Sequence, residues 1–180
     1  MMRIAITGKL RSGKTSISDY LERAYEYKRI AFGDALKRYA HEIFGEVENK
    51  PRELYQSFGQ KMREIDSDVW VKQVERVINE WESVTNYSVV IDDLRQPNEY
   101  EWARDNGFTI IRINADKDVR IKRAEALGDD FDEENLSHDT ESHVDKFEVD
   151  YDFVNNTTED FIKITDKLDA VMLYGEDTHA

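Results

Sequence analysis

Cysteine is absent from this 180-residue chain, and proline occurs only twice. Without cysteine the chain can form neither a disulfide framework nor a thiolate metal site. No apolar run approaches the roughly 20 residues of a membrane-spanning helix. Basic residues are outnumbered, with 25 Lys and Arg against 39 Asp and Glu and a net charge of −14, whereas binding to a nucleic-acid backbone requires a basic surface. We therefore expect a soluble, cytoplasmic protein that binds neither nucleic acid nor a membrane.

A phosphate-binding pattern stands near the start of the chain. The short apolar run 3–7 is followed by Gly8-Lys9-Leu10-Arg11-Ser12-Gly13-Lys14-Thr15, which fits G-x-x-x-x-G-K-T. The glycines let successive N–H groups curl around a phosphate, the lysine reaches the outer phosphates, and the threonine hydroxyl ligates Mg²⁺. A helix predicted at 16–26 would point its positive end at the same anion. The pattern therefore predicts a nucleotide site formed by Gly8, Ser12, Gly13, Lys14 and Thr15.

Apolar patterns predict that strands and helices alternate along the chain, which suits a single α/β domain over residues 1–180. Short apolar runs bounded by turns predict strands near residues 3–7, 28–32, 87–93, 108–113 and 148–154. Helical spacing predicts helices at about 16–26, 35–44, 51–62, 68–82 and 97–106, and from about 116 and 158 onward. We therefore predict a three-layer α/β fold with a mostly parallel five-stranded sheet flanked by helices.

Two residues in the middle of the chain each have a structural and a functional interpretation. Asp34 is predicted to cap a helix that begins at Ala35, and as a carboxylate at a strand end it could also face a bound substrate. Trp70 belongs to an apolar helical stripe, which favours packing in the core. Its position near the polar segment 60–63 also makes it a candidate wall of a substrate pocket.

The acidic pair Asp92 and Asp93 ends the predicted strand 87–93. P-loop enzymes hold Mg²⁺, or a water on it, with an acid at such a strand end. The other interpretation is capping of the helix that starts near Pro97. With a P-loop already present, we favour the metal role, and we expect Arg95 to point into the same cleft.

Arg120 and Arg123 lie three residues apart, on one face of a helix that opens at Asp116. They could form an ordinary solvated surface, but they precede the acidic tract 128–134, and we favour a closing lid over about 116–145. His138 and His143 follow in the same segment. Their spacing of five residues does not place two ligands on one helical face, so we predict no metal site there.

Among P-loop proteins, the size and composition of this chain favour a small-molecule kinase. The N-K-x-D run by which GTPases bind guanine is absent. Helicases and motors are generally larger, and a nucleic-acid motor would not be expected to carry this negative charge. A kinase needs an acceptor pocket between the P-loop and a lid, which the predicted helices over about 34–82 could supply.

The chain resembles the deoxynucleoside monophosphate kinases of the bacteriophage type, within the P-loop nucleoside monophosphate kinase group. The resemblance rests on the P-loop and on the runs FGDALK at 32–37, FGQ at 58–60 with Arg63, DSDVW at 66–70, VIDDLRQPNE at 90–99 and VNN at 154–156. The D-x-R-x-P-N-E run is the most specific part, and it selects Asp93 rather than Asp92 as the acid. Gln96 departs from the family, which commonly has an aromatic residue there.

The resemblance implies transfer of the γ-phosphoryl group of ATP to a deoxynucleoside 5′-monophosphate, with Mg²⁺ as cofactor. It implies that Thr15 and Asp93 hold the metal. The residues that it assigns to catalysis are Lys14, Arg11, Arg120 and Arg123. Those that it assigns to the acceptor are Asp34, Lys37, Arg63, Asp66, Trp70 and Arg95.

Alternatives to this activity remain at the sequence level. Another small-molecule P-loop kinase, such as a dephospho-coenzyme A or phosphomevalonate kinase, would share the same core. A nucleotide-binding regulatory protein could keep the P-loop and lose transfer, but a decayed site should have lost some of Lys14, Thr15, Asp93, Arg120 and Arg123. The sequence leaves open the preferred base, the discrimination against ribose, and whether a homodimer forms.

Overall fold

A five-stranded parallel sheet forms the middle of the computed structural model, which describes residues 2–45, 52–128 and 143–174. The strand order is β2-β3-β1-β4-β5, and each neighbouring pair is parallel. The strands are β1 (Arg3–Thr7), β2 (Lys28–Ile30), β3 (Val89–Leu94), β4 (Thr109–Asn114) and β5 (Tyr151–Val154). The predicted α/β fold is therefore confirmed.

The described residues form seven α-helices on the two faces of this sheet. They are α1 (Lys14–Tyr25), α2 (Phe32–Phe44), α3 (Arg52–Ile65), α4 (Val69–Val84), α5 (Pro97–Asp105), α6 (Lys117–Ala126) and α7 (Thr158–Tyr174). A short 3-10 turn covers Val144–Lys146. Within these ranges, no helix combines the length and the apolar character that a bilayer crossing requires.

The alternation of side chains along β1 explains the three layers. Ile4 and Ile6 pack with α1 and α7 on one face of the sheet, whereas Ala5 packs with α2, α4 and α5 on the other. All three side chains are fully buried, as expected for a parallel strand that is covered on both faces. Because β1 is the central strand, the loop that follows it lies at the middle of the sheet's carboxyl edge.

The boundary between β2 and α2 differs from the sequence prediction. The strand ends at Ile30, and α2 begins at Phe32 rather than at Ala35. Asp34 is therefore not the N-cap. It lies in the first turn, where its carboxylate accepts a hydrogen bond from the Ala31 N–H at 2.9 Å. The helix starts earlier because a carboxylate of β3 accepts its first two backbone N–H groups, a long-range contact that local sequence patterns do not contain.

Trp70 is a core residue, which corrects its assignment as a wall of the acceptor pocket. Its side chain is only 2% exposed, and its indole N–H donates to the buried carbonyl of Gly59 at 3.3 Å. The ring of Phe58 lies beside it, with the two centroids 6.0 Å apart. The apolar stripe of α4 thus packs against α3 and the sheet.

We predict that Trp70→Phe lowers the free energy of unfolding by about 1–3 kcal/mol, because the buried Gly59 carbonyl loses its side-chain donor and part of a packed ring is removed. Urea denaturation followed by circular dichroism measures this loss. Trp81→Phe on the same helix is the matched control and should cost less, since that ring is only partly buried. An unfolding free energy unchanged by Trp70→Phe would contradict the core position.

Candidate functional site

The P-loop, residues 8–15, curls at the carboxyl end of β1 through three positive φ angles. They belong to Gly8 at 133°, Arg11 at 62° and Gly13 at 104°. Such residues turn consecutive N–H groups toward one concave side and form a nest for an anion. A Cβ on Gly8 would lie 2.2 Å from the Ile113 carbonyl oxygen, so β4 leaves room only for glycine there. The loop has the backbone shape of a phosphate cradle.

Lys14 and Thr15 begin α1 at the mouth of this cradle. The ammonium of Lys14 donates to the carbonyls of Gly8 at 2.6 Å and Lys9 at 2.8 Å. The ammonium therefore lies against the loop's own backbone. Thr15 is exposed, and both residues line the same cleft. The N-terminal end of α1 adds the positive end of a helix dipole to this position.

A cleft of about 1040 Å³ runs over the P-loop along the carboxyl edge of the sheet. On the β3 and β2 side of the loop the lining is mainly polar and charged, with Ala31 the apolar exception; its other residues are Arg29, Asp34, Lys37, Asp92, Asp93 and Arg95. On the β4 and β5 side the lining mixes apolar and polar residues, namely Arg123, Ala126, Leu127, Asn155, Asn156, Thr157, Thr158 and Phe161. The cleft thus has two chemically different halves with the P-loop between them.

The carboxylate of Asp93 joins β3 to α2. It accepts the backbone N–H groups of Phe32 at 2.8 Å and Gly33 at 2.9 Å, the first two of the helix. Burial raises the pKa of the Asp93 carboxyl, and the charge of Asp92 acts in the same direction. The two N–H groups and the charge of Arg95 oppose that rise. A cation bound beside Asp93 would favour its ionised form further.

Asp92 faces α1 instead. Its carboxylate is 5% exposed, pairs with the Arg29 guanidinium at 2.6 Å and accepts a hydrogen bond from the Ser18 hydroxyl at 3.3 Å. The Ser18 hydroxyl also contacts the Thr15 carbonyl at 2.9 Å. Both acids lie in β3, and successive side chains of a strand point to opposite faces, so two acids adjacent in sequence serve different helices. Sequence analysis missed Arg29, which carries no motif signal.

Glu99, at the start of α5, is a buried carboxylate that sequence analysis did not assign a role. It is 3% exposed and accepts the backbone N–H groups of Arg95 at 3.0 Å and Gln96 at 2.9 Å. The Arg63 guanidinium lies 3.7 Å from its other oxygen. Burial, with the charge of Asp93, raises the pKa of Glu99 to about 7. A glutamate in the first turn of the helix predicted to start near Pro97 was the available signal, because a glutamate there can accept the N–H groups that precede the helix.

Arg120 and Arg123 contact the P-loop backbone, so neither belongs to an ordinary solvated surface. Arg120 is 7% exposed and donates to the Leu10 carbonyl at 3.4 Å. Arg123 donates to the carbonyls of Arg11 at 3.3 Å and Ser12 at 3.2 Å. The two side chains therefore hold the outer side of the loop. Their catalytic role stays a prediction, as does that of Arg11.

Part of the predicted lid, namely the acidic tract after Gly128 and His138, lies outside the described residues. His143 directly precedes the 3-10 turn.

Asn155, in the turn after β5, completes this support; in the sequence it drew attention only as part of the run VNN at 154–156. Its side chain is 3% exposed and donates to the Ser12 carbonyl at 2.9 Å. Its backbone carbonyl accepts a hydrogen bond from Arg123 at 2.9 Å. A Cβ on Gly13 would lie 2.2 Å from the Asn155 amide nitrogen. The second glycine of the P-loop is therefore required by this close contact as well as by its φ angle.

The structure brings only some of the predicted acceptor residues into the cleft. Asp34, Lys37 and Arg95 line it, whereas Trp70 lies in the core. Asp66 closes the turn between α3 and α4 through the Asp68 N–H at 3.1 Å and the Lys72 ammonium at 2.5 Å. These contacts lower the pKa of Asp66, the Lys72 contact most. The Arg63 guanidinium instead faces Glu99, whose carboxylate also accepts the Arg95 N–H.

The donor groups in the cleft fit Mg²⁺. The Thr15 hydroxyl and the carboxylates of Asp92 and Asp93 are the hard oxygen ligands that this ion prefers. Over 2–45, 52–128 and 143–174, no three His, Asp or Glu side chains cluster as a ready-made metal cage. Mg²⁺ at nucleotide sites usually takes one or two carboxylates and completes its shell with phosphate oxygens and water. The residues present are sufficient for that arrangement.

We predict that Asn155→Ala weakens nucleotide binding roughly tenfold, because the Ser12 carbonyl loses one of its buried donors and the cradle loosens. Calorimetric titration with MgATP measures the effect. Asn106→Ala is the matched control. The Asn106 amide also donates to a backbone carbonyl, that of Trp102 at 2.8 Å, but it lies before β4, at the amino edge of the sheet and away from the P-loop. It should leave the affinity unchanged. Equal affinity of Asn155→Ala and wild type would count against the supporting role.

Comparison with known proteins agrees with this architecture. The model of the AAA_18 family, described as an AAA domain, matches residues 4–153, from β1 into β5. Among curated proteins, none matches the sequence significantly.

Several solved structures resemble the chain over almost its whole length. TT1252 from Thermus thermophilus has 19% identity and a TM-score of 0.67, covering 97% of this chain and 98% of its own. A putative kinase from Chloroflexus aurantiacus has 18% identity and a TM-score of 0.61, covering 97% of both chains. A shikimate kinase from Bacteroides thetaiotaomicron has 15% identity and a TM-score of 0.54, covering 95% and 98%. At these identities the likeness concerns the fold. The chain has the fold of the P-loop kinases, and the match over residues 4–153 means that it belongs to the AAA_18 family of AAA domains.

Proposed function

We propose that the chain is a Mg²⁺-dependent kinase that transfers the γ-phosphoryl group of ATP to a deoxynucleoside 5′-monophosphate. The cleft carries this proposal, because it has a phosphate cradle at its middle and a chemically distinct half on either side. Pockets for one small ligand usually measure about 300–1,000 Å³. The volume of about 1040 Å³ lies at the upper end of that range and is compatible with two substrates that meet at the P-loop.

The half of the cleft beside α6 and α7 suits the adenosine of ATP. Ala126, Leu127 and Phe161 offer apolar surface to a base, and Asn156 and Thr157 offer polar groups at its edge. From there the triphosphate would extend into the cradle. Backbone N–H groups of the loop and the Lys14 ammonium would hold its phosphates.

The half beside α2 and β3 suits an acceptor that itself carries a phosphate. Lys37 and Arg95 bring positive charge to this part of the lining, and the Arg63 guanidinium faces Glu99, whose carboxylate also accepts the Arg95 N–H. Guanidinium groups match phosphate geometry with two parallel hydrogen bonds. Asp34 is exposed in the same half and offers a carboxylate to the hydroxyl or amino groups of a nucleoside.

The chemistry asks for positioning and charge compensation more than for covalent catalysis. An acceptor phosphate oxygen, ionised near neutral pH, forms a bond to the γ-phosphorus while the bond to the bridging oxygen of ADP breaks. Mg²⁺, held by Thr15 and Asp93, would offset charge on the transferred group. Lys14, with Arg11, Arg120 and Arg123 around the loop, would add cationic stabilisation. An arginine in this role is worth roughly 10³–10⁵ in rate in GTPases.

A kinase for a hydroxyl acceptor is the second candidate, favoured by the similarity to a shikimate kinase. A hydroxyl group must lose its proton as it attacks, so this reaction needs a general base. Asp34, exposed in the cleft, would be that base. The carboxylate of Asp93 is less suited, because it already accepts two backbone N–H groups.

An assay with alternative acceptors separates these activities. We expect MgATP to yield ADP when a deoxynucleoside monophosphate is added, and not with dephospho-coenzyme A, phosphomevalonate or shikimate at the same concentration. Ribonucleoside monophosphates are tested alongside, to measure whether ribose is discriminated. ADP release is followed by a coupled assay, and the phosphorylated product by mass spectrometry. ADP that rises with shikimate alone would favour the hydroxyl acceptor. No rise above the background of enzyme and ATP with any acceptor would rule out the proposed transfer.

We predict that Lys14→Ala reduces turnover at least 10²–10³-fold, the usual cost of removing one group that stabilises transition-state charge. The fold should persist, which circular dichroism and thermal unfolding check. Lys9→Ala is the matched control within the loop, because Lys9 instead pairs with Asp145 at 2.6 Å, and it should keep most of the activity. Substantial turnover by a folded Lys14→Ala variant would remove this residue from the mechanism.

A further inference from the structure

Glu99 is a charged side chain whose burial calls for an explanation. Within the described ranges, the acidic residues with almost no exposure are Asp92 and Glu99. Burying a carboxylate is costly unless it is hydrogen-bonded and paired with positive charge. Asp92 has the Arg29 guanidinium at 2.6 Å. Glu99 has Arg63 and two backbone N–H groups.

These contacts connect Glu99 to both arginines on the acceptor side. One carboxylate oxygen accepts the backbone N–H groups of Arg95 and Gln96, which fixes the chain where the Arg95 side chain enters the cleft. The other oxygen faces the Arg63 guanidinium from α3 at 3.7 Å. One buried group therefore contacts the backbone of one arginine and the guanidinium of another, and the two arginines come from different elements.

The neighbouring Asn98 anchors the same region independently. Its side-chain amide donates to the Ser67 carbonyl and to the Asp68 carboxylate, both at 2.9 Å. These residues form the turn between α3 and α4. The start of α5 thus contacts the end of α3 and the turn after it at two points. Glu99 faces Arg63 of α3, and Asn98 binds the turn.

Arg63 is held on its other side without being enclosed. A Cβ on Gly59, one turn earlier on α3, would lie 3.5 Å from a guanidinium nitrogen of Arg63 and 2.5 Å from a methyl carbon of Leu36. The glycine lets α3 approach α2 closely and leaves space for the arginine. About a quarter of the Arg63 side chain, 25%, stays exposed. The guanidinium can therefore be oriented by Glu99 and still meet a ligand.

We infer that Glu99 is a positioning residue that sets Arg63 and Arg95 as a two-arginine clamp for the acceptor's phosphate. The inference rests on the proposed function and adds a residue to it. Two guanidinium groups that bind the same phosphate repel each other, and a nearby carboxylate offsets part of that repulsion. A preorganised pair also loses less side-chain freedom when a phosphate binds. Glu99 itself touches no substrate in this arrangement.

Glu99→Gln tests this role with little change of shape. The amide oxygen can still accept the N–H groups of Arg95 and Gln96, but the charge that faces Arg63 is lost. The assay is run at about pH 8, above the pKa of Glu99, which burial raises to about 7. The KM for the best deoxynucleoside monophosphate should rise roughly 10- to 100-fold. The KM for ATP should stay within about twofold and kcat within about threefold of wild type.

A matched control and a second variant separate positioning from stability. Glu82→Gln removes a partly buried carboxylate that pairs with Arg3 at the far end of the sheet, and it should leave both KM values unchanged. The double variant Glu99→Gln with Arg63→Met should have the same acceptor KM as Glu99→Gln alone. If Glu99→Gln does not fold, the single variant Arg63→Met tests the inference. It must raise the acceptor KM and leave the ATP KM unchanged.

The possible results have distinct meanings. An acceptor KM within about twofold of wild type for a folded Glu99→Gln enzyme overturns the inference and leaves the proposed function standing. Equal rises of both KM values overturn it as well, because they indicate a general loss of structure. A wild-type chain that phosphorylates no monophosphate overturns the proposed function and the inference together.

Discussion

A loop that turns its N–H groups toward a phosphate must turn its carbonyl groups away, and those carbonyls need donors of their own. Among the described residues, Lys14, Arg120, Arg123 and Asn155 supply side-chain donors to carbonyls of the P-loop. The shape of the anion-binding surface of the cradle therefore depends on the hydrogen bonds to the carbonyls on its outer side. Residues that look like a lid in the sequence also maintain the shape of the anion site.

Three of these donors, namely Arg120, Arg123 and Asn155, come from parts of the chain far from the loop. Arg120 lies 110 residues after its acceptor and Asn155 lies 143 residues after its own. The turn that carries Asn155 reaches the loop only when β4 has joined the sheet beside β1 and β5 has joined it beside β4. Such long-range contacts form only after large loops have closed. The nucleotide site is therefore a property of the complete sheet, although its signature is eight residues long.

Local patterns predicted the parts of the structure that depend on neighbouring residues. The alternation of strands and helices and the glycines of the cradle follow from short-range rules. The start of α2 was missed because its first N–H groups bind Asp93, about 60 residues away. The stripe containing Trp70 indicated packing correctly, while the family resemblance assigned that residue to the acceptor. The i, i+3 spacing placed Arg120 and Arg123 on one face, but spacing carries no information about what that face meets.

The contacts of Arg123 bear on why an arginine stands there. One guanidinium nitrogen serves the carbonyls of Arg11 and Ser12, and the other serves the carbonyl of Asn155. A guanidinium distributes five N–H groups over a rigid plane, whereas an ammonium has three on one atom. The planar group can donate to two loops that approach from different directions. An ammonium would require all acceptors to lie around one nitrogen atom. Arg123 therefore fixes the separation between the P-loop and the turn after β5, together with the direct contact of Asn155 with Ser12.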